Sequence, residues 1–314
     1  MMDWIYTVIG LVILLLAGDS LVKGAVNLSL RLGVPALIVS LTIVAFGTSA
    51  PELLISVQAI LDGVPGIALG NVVGSNTANV LLVLGVPALL ATMHTSACDT
   101  RKSYLQMLAA TALFIVLCFF TPLTWVSGLI LLAALAAMLA HAIREARRHR
   151  RAGETEAEEI EGADPNLGWP KILLYLALGL IGLPLGANLL IDGATNIATR
   201  FGISESVIGL TLVAIGTSLP ELATTVMAAL RKQADVALGN VIGLNMFDLL
   251  AIIGIATLVG PIPVDEEFLT FDLWVMLAAS LVLIPFVYLG RDITRLWGVG
   301  LLAAYLAYMV AVLA

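Results

Sequence analysis

Runs of about 20 mostly apolar residues, each long enough to cross a ~30 Å hydrocarbon core as a helix, recur from end to end of the chain. The chain is 60% hydrophobic and 12% charged. A soluble protein carries roughly twice that charged fraction. The sequence therefore predicts an all-α polytopic membrane protein.

The apolar windows predict ten transmembrane helices. Their approximate bounds are 4–25, 34–60, 66–92, 104–121, 124–143, 170–196, 204–230, 236–260, 269–289 and 293–313. The first run lacks a basic start and a small-residue cleavage site, which favours a first span over a signal peptide.

Basic residues in short loops predict the orientation, because Lys and Arg accumulate on the cytoplasmic side. Five arginines lie within residues 144–151, and six carboxylates follow within 154–164. With this segment in the cytoplasm, only Arg200 and Lys23 of the 15 basic residues do not fall on cytoplasmic ends. The prediction is a multi-pass protein of the inner or plasma membrane with extracytoplasmic termini and a cytoplasmic central loop.

An internal repeat organises the spans. A shift of 169 residues aligns residues 17–87 with the second half without a gap, so that ALGNVVGSNTANVLLVLG (68–85) meets ALGNVIGLNMFDLLAIIG (237–254). Because each half holds five spans, the second copy enters the membrane in the opposite sense. We expect a first repeat at 1–143, a charged linker at 144–168 and an inverted second repeat at 169–314. Corresponding interrupted helices in such repeats indicate a binding site near the midplane.

The repeated motif reads AFGTSAPE at 45–52 and AIGTSLPE at 214–221. Pro51 removes an amide donor and crowds the carbonyl of Gly47, so it predicts a broken helix. Thr48 and Ser49 share a helical face with Glu52. The second half places the same residue types at Gly216, Thr217, Ser218, Pro220 and Glu221.

The two glutamates are the strongest functional signal, because an ionised carboxylate at this depth costs several kcal/mol and usually marks a pathway or an ion pair. All donor atoms of the motif are oxygens, which suit Na⁺, Ca²⁺, Mg²⁺ or Mn²⁺. The second motif adds Ser75 and Asn79 on one face, where the other half has Leu244 and Asp248. The sequence predicts a buried hard-cation site.

A charged group in the first span has two interpretations. Asp19 and Lys23 lie one turn apart and can neutralise each other. Asp192 is the repeat mate of Lys23, so Lys23 and Asp192 are a second hypothesis, a gating pair between the halves.

Two copies of G-T-S-x-P-E, each followed by G-N-V-[VI]-G-x-N, resemble the alpha repeats of the cation/calcium exchanger superfamily, and in particular prokaryotic sodium/calcium exchangers. The resemblance implies antiport of Na⁺ against Ca²⁺ by alternating access, with the first and sixth spans as a mobile pair. It implies central calcium ligands at Glu52, Glu221, Thr48, Thr217, Asn79 and Asp248. It implies sodium ligands at Ser49, Ser75, Ser218 and the carbonyls of Ala45 and Ala214. The family has a serine where this chain has Leu244, so an oxygen of one sodium site is missing.

Other functions stay open. The same carboxylates suit a proton-coupled antiporter of Ca²⁺ or another divalent cation, and a cation channel is the alternative from another class. No nucleophile–base pair, phosphate loop or cofactor motif indicates an enzyme. The expected partners are Ca²⁺, Na⁺ or H⁺ and the lipid bilayer, with no cofactor, nucleic acid or obligatory protein partner.

Overall fold

The computed structural model describes residues 2–34, 36–98, 100–152, 164, 166–201 and 216–313. Fifteen α-helices lie within these ranges. They are α1 (Met2–Leu32), α2 (Ala36–Val39), α3 (Ala45–Thr48), α4 (Ala50–Leu61), α5 (Pro65–Leu81), α6 (Gly85–Leu90), α7 (Arg101–Cys118), α8 (Trp125–Ala152), α9 (Trp169–Arg200), α10 (Leu219–Leu230), α11 (Ala234–Phe247), α12 (Ile253–Val259), α13 (Leu273–Leu281), α14 (Ile284–Tyr288) and α15 (Arg295–Leu313). Turns of π-helix at Ser40–Val44, Asp248–Ile252 and Phe268–Asp272 connect several of them.

Eight helical segments of the described chain are long and apolar enough to cross a membrane, and a bent pair (Thr42–Thr48 with Ala50–Leu61) adds a ninth. The polytopic helical prediction is therefore confirmed. The predicted span at 204–230 falls partly outside the described residues, and α10 forms its second part.

Helices α5 and α11 run through the centre of the protein, and α1 and α9 lie against each other at one side of it. In the hydrophobic windows of α1 and α9, 33% of the residues are buried in the protein, against 83% for the α5–α6 span and 89% for the α11–α12 span. The apolar runs of the outer pair therefore face lipid over most of their length.

The outer pair packs through glycines. A Cβ on Gly10 would lie 2.5 Å from the amide nitrogen of Leu190 and 2.7 Å from the carbonyl oxygen of Gly186. A Cβ on Gly186 would lie 2.8 Å from the amide nitrogen of Leu14. Small residues allow backbones to approach this closely in membrane helices. At the end of α1, Gly33 adopts a φ of 66°, the left-handed conformation that commonly ends a helix.

The register of α1 against α9 does not allow the predicted gating pair. Gly24, next to Lys23, packs against Leu176, whereas Gly193, next to Asp192, packs against Thr7. Leu176 and Gly193 are about 26 Å apart along α9 at 1.5 Å per residue. The pair Lys23–Asp192 is wrong because the helices are antiparallel, and repeat mates then lie towards opposite ends.

Lys23 instead pairs with Asp19 at 3.0 Å, as the first interpretation expected. Arg231, just after α10, also contacts the Asp19 carboxylate. At the other end of the pair, Arg200 of α9 contacts Asp3 of α1 at 2.6 Å. Ion pairs therefore join α1 to α9 and α1 to the segment after α10.

The apolar part of α8 ends near residue 144, where the charged linker is predicted to begin, and the helix itself continues to Ala152. Residues 144–152 consist mostly of arginine and alanine. Both are among the strongest helix formers, so the helix extends beyond the apolar run.

Two isolated β-bridges join loops from the two halves. Met93 bridges to Ile293, and Leu123 bridges to Ile262. The sequence places the first two on one side of the membrane and the second two on the other. The contacts agree with that assignment.

Candidate cation site

The two repeated motifs form similar breaks in the helical backbone. Helix α3 ends at Thr48 and α4 begins at Ala50, so Ser49 lies between them with φ −76° and ψ 2°. The bend between the two helical segments is 45°. Pro51 lies in the first turn of α4, where its missing amide leaves no helical hydrogen bond unmade.

The second motif repeats this geometry. Ser218 precedes α10 with φ −88° and ψ 3°, and Pro220 lies in the first turn of that helix. Glu52 and Glu221 occupy the first turns of α4 and α10. Negative charge is stabilised there by the partial positive charge of a helix N-terminus.

Three carboxyl groups are buried almost completely, with 3% of Glu52, 2% of Glu221 and 1% of Asp248 exposed. Oε2 of Glu52 and both carboxyl oxygens of Glu221 have no hydrogen-bond partner among the described residues. Buried polar atoms are normally paired, because desolvation without a partner is costly. Unpaired carboxylate oxygens inside the protein are suited to accept a cation.

Asp248 connects the halves. Its Oδ1 accepts a hydrogen bond from the Ser49 hydroxyl at 3.0 Å. Its Oδ2 accepts bonds from the side-chain amides of Asn79 at 3.3 Å and Asn76 at 3.5 Å. Asn79 also donates to the Asn245 side chain at 3.1 Å. The centre of the site is therefore an oxygen-rich network between α5 and α11.

The three carboxyl groups lie close enough to one another to repel electrostatically when they are ionised. Thr48 lies beside Glu221, but its hydroxyl donates to the carbonyls of Val44 at 3.2 Å and Ala45 at 3.3 Å. No cluster of three or more Asp, Glu, His or Cys side chains in the described ranges is arranged to hold a metal ion by itself. Hydroxyl, amide and carbonyl oxygens would have to complete any cation site here.

A second layer of amides positions the broken helices. Asn71 donates to the backbone carbonyl of Glu52 at 3.3 Å and to the Ser56 hydroxyl at 3.2 Å. Its repeat mate Asn240 donates to Thr225 at 3.4 Å. Asn71–Ser56 and Asn240–Thr225 are both separated by 15 residues, so the two halves make the same contact.

The remaining predicted ligands lie in the same region or cannot be placed. Ser75 on α5 and Ser218 before α10 are buried, and Thr217 is half-buried. Ala45 is buried on α3, whereas Ala214 lies outside the described residues. Leu244 is buried in an apolar cluster with Ala45, Phe247 and Ala251.

Sequence reasoning missed the hydrogen bonds that Ser49 and Asn76 donate to Asp248. It also missed Arg231 as a partner of Asp19. No local sequence signal joins residues that are 199 or 212 positions apart. Only the repeat, which brings both motifs to one place, suggests such contacts.

Broken helices that hold unpaired carboxylates in the interior of a polytopic helical protein are typical of membrane transporters for cations. Comparison with known proteins identifies the family. A family profile described as "Sodium/calcium exchanger protein" matches residues 2–144 and 171–314. The chain belongs to this family.

Similar proteins agree with the assignment. The sodium/calcium exchanger MaX1 of Methanosarcina acetivorans is 34% identical over 98% of this chain and 97% of its own length. The inner membrane protein YrbG of Escherichia coli is 33% identical over 88% of this chain and 85% of its own. A structure of the sodium–calcium exchanger NCX_Mj matches with a TM-score of 0.82 and 32% identity, over 99% and 98% of the two chains.

The family resolves the broad alternatives of the sequence analysis. The chain is a calcium/cation exchanger of the prokaryotic branch, and it is a transporter and not an enzyme. Its fold is the polytopic helical fold of NCX_Mj.

Proposed function

We propose that the protein exchanges Na⁺ for Ca²⁺ across the membrane by alternating access. The observation that carries the proposal is the set of three buried carboxyl groups, Glu52, Glu221 and Asp248, in which Oε2 of Glu52 and both oxygens of Glu221 have no hydrogen-bond partner among the described residues. Carboxylate, hydroxyl and amide oxygens are the ligands that both ions prefer.

Na⁺ and Ca²⁺ compete for the same negatively charged carboxylates, and this competition is the physical basis of the exchange. Three carboxylates so deeply buried repel each other and lack solvent, so the ionised site needs bound cations. A divalent ion and monovalent ions can each supply that charge, but not together. Protons compete for the same oxygens, and transport should therefore fall at low pH.

We assign calcium to Glu52, Glu221 and Asp248, with Thr48, Thr217 and Asn79 as neutral ligands. Sodium is assigned to Ser49, Ser75 and Ser218 and to the carbonyls of Ala45 and Ala214. The hydrogen bond from Asn79 to Asp248 supports the first set, because it places these two ligands side by side. The resemblance of the motifs supports the second.

We further propose ten spans in two inverted repeats, with extracytoplasmic termini and a cytoplasmic central loop. Equivalent contacts support the repeat. Asn71 and Asn240 bond to equivalent partners, Ser56 and Thr225. Serines 49 and 218 break their helices with nearly the same dihedral angles.

The test is uptake of radioactive Ca²⁺ into proteoliposomes loaded with Na⁺ and diluted into Na⁺-free buffer. We expect uptake that needs the outward Na⁺ gradient, and its loss in Glu52→Gln and Glu221→Gln. Glu267→Gln, which changes an exposed glutamate, is the matched control and should transport normally. Normal uptake by either buried-site variant would contradict the site.

Proton-coupled calcium antiport is the second candidate, favoured by the apolar Leu244 at an expected sodium ligand. Uptake that follows a pH gradient and ignores Na⁺ would establish it. Uptake with saturation and a required counter-ion, of either kind, excludes a channel.

A further inference from the structure

The two halves differ at one buried position beside the carboxyl cluster. Ser75 precedes Asn79 by one helical turn on α5, and Leu244 precedes Asp248 by one turn on α11. Both side chains are at most 9% exposed. One half therefore offers a hydroxyl oxygen where the other offers only hydrocarbon.

The surroundings of Leu244 are apolar. Its side chain packs with Ala45, Phe247 and Ala251, and Leu135 and Leu139 of α8 cover this group. Phe247 also contacts the Phe46 ring at a centroid distance of 5.5 Å. A cation next to Leu244 would lose its water and gain no ligand from these apolar neighbours in return, which is strongly unfavourable.

The polar groups nearest to this cluster are already engaged within the protein. The Ala45 carbonyl accepts the Ser49 amide at 3.1 Å and the Thr48 hydroxyl at 3.3 Å. The Ser49 hydroxyl donates its hydrogen to Asp248. Neither group therefore substitutes for the hydroxyl that position 244 lacks.

We propose that Leu244 removes one of the two monovalent-cation subsites related by the repeat, and that the exchange cycle therefore moves no net charge. This inference rests on the proposed sodium–calcium exchange. One monovalent ion in the subsite of Ser75 and one at the central acids carry together the charge of one divalent ion. A further monovalent ion in a Leu244 subsite would make each cycle electrogenic.

The experiment measures the sodium gradient at which net Ca²⁺ flux is zero, in proteoliposomes whose membrane potential is set by potassium and valinomycin. For the wild type, we expect the same null point at all potentials. If one net charge moved per cycle, a change of about 59 mV would shift the calcium ratio at equilibrium tenfold.

Two substitutions of Leu244 separate the effect of adding a hydroxyl from the effect of removing side-chain volume. Leu244→Ser restores an oxygen donor, and its null point should shift with potential. Leu244→Ala creates nearly the same space without a donor, and its null point should stay independent of potential.

Three results would overturn the inference in different ways. A wild-type null point that shifts with potential shows a further charge in the cycle and leaves the proposed exchange intact. A Leu244→Ser variant that behaves as Leu244→Ala shows that Leu244 does not decide the charge balance. An absence of any sodium-driven flux in the wild type removes the proposed function itself, and this inference with it.

Discussion

The pair of helices α1 and α9 and the buried centre around α5 and α11 are built in opposite ways. The pair is largely exposed towards lipid and packs through glycine backbones, with ion pairs at Asp3 and Asp19. The centre is almost wholly buried and holds carboxyl oxygens that have no hydrogen-bond partner in the described part of the chain. The helix pair is closely packed through small residues, whereas the centre has negatively charged oxygens that a cation can neutralise.

This difference predicts a division of labour. The centre should determine which ions bind and how tightly, and the pair should determine how fast the protein changes between its two access states. Substitutions in the centre should alter ion affinity, whereas substitutions in the pair should alter rate and leave affinity unchanged.

The largest expected effect is that of Asp248→Asn. The substitution removes a negative charge that Ser49, Asn76 and Asn79 surround. Interactions of this charged kind contribute about 1.5–3 kcal/mol, so we expect Ca²⁺ affinity in equilibrium binding to fall by about tenfold or more. Asp272→Asn is the control, because Asp272 is also buried but bonds to Tyr308 outside the site. Equal losses of Ca²⁺ affinity in Asp248→Asn and Asp272→Asn would contradict the division of labour between the centre and the helix pair.

The next effect is that of Gly186→Leu. A side chain there meets the α1 backbone at 2.8–2.9 Å and cannot be accommodated by a rotamer change. Overpacking of this kind costs about 1–3 kcal/mol. We expect a large drop in exchange rate with normal Ca²⁺ binding by the purified protein. Gly300→Leu, where a Cβ meets nothing within 4 Å, should leave the exchange rate and Ca²⁺ binding unchanged.

A smaller effect should follow Asp19→Asn, which removes the shared partner of Lys23 and Arg231. Ion pairs that retain some solvent exposure contribute up to about 1 kcal/mol, so the exchange rate should change by up to about fivefold. Arg231→Gln should act in the same direction, and the double variant should not be additive, because both remove one contact. Additive effects would show that the contact does not couple α1 to the segment after α10.

The smallest effect concerns a loop contact outside both regions. Partial burial raises the pKa of Asp292, but hydrogen bonds from Ser96 and His94 outweigh it and hold the pKa below its ordinary value of 3.8. Such a carboxylate stabilises the fold above its ordinary pKa, and the contribution is lost as pH falls through the lowered value. Asp292→Asn should therefore lower the melting temperature slightly at neutral pH, and the difference should narrow below pH 3.8. If the difference in melting temperature between the wild type and Asp292→Asn grew on acidification, it would contradict the stabilising effect of the ionised Asp292.

Local signals in the sequence were sufficient for the polytopic helical fold and for the helix breaks at Ser49 and Ser218. Apolar length predicts a membrane helix, and a proline with two hydroxyl residues before Glu52 and Glu221 predicts where it breaks. The apolar pattern does not predict that α8 extends past its apolar run to Ala152, because helix propensity and not hydrophobicity favours that extension.

Contacts between distant segments were less predictable. The repeat shows which residues are equivalent, but not which are neighbours, and this is why Lys23 was matched with Asp192. The partner of Asp19 beyond Lys23 is Arg231, a residue from another part of the chain. The side-chain bond from Ser49 to Asp248 likewise depends on packing between the halves.

The central claim is that Na⁺ and Ca²⁺ compete for the buried carboxyl groups. Its most direct test is equilibrium binding of radioactive Ca²⁺ to the purified protein at increasing Na⁺, for the wild type and Glu221→Gln. We expect Na⁺ to displace Ca²⁺ competitively from the wild type, and Glu221→Gln to bind little Ca²⁺ at any Na⁺ concentration. Calcium binding that Na⁺ does not displace, or that survives in Glu221→Gln, would contradict the account.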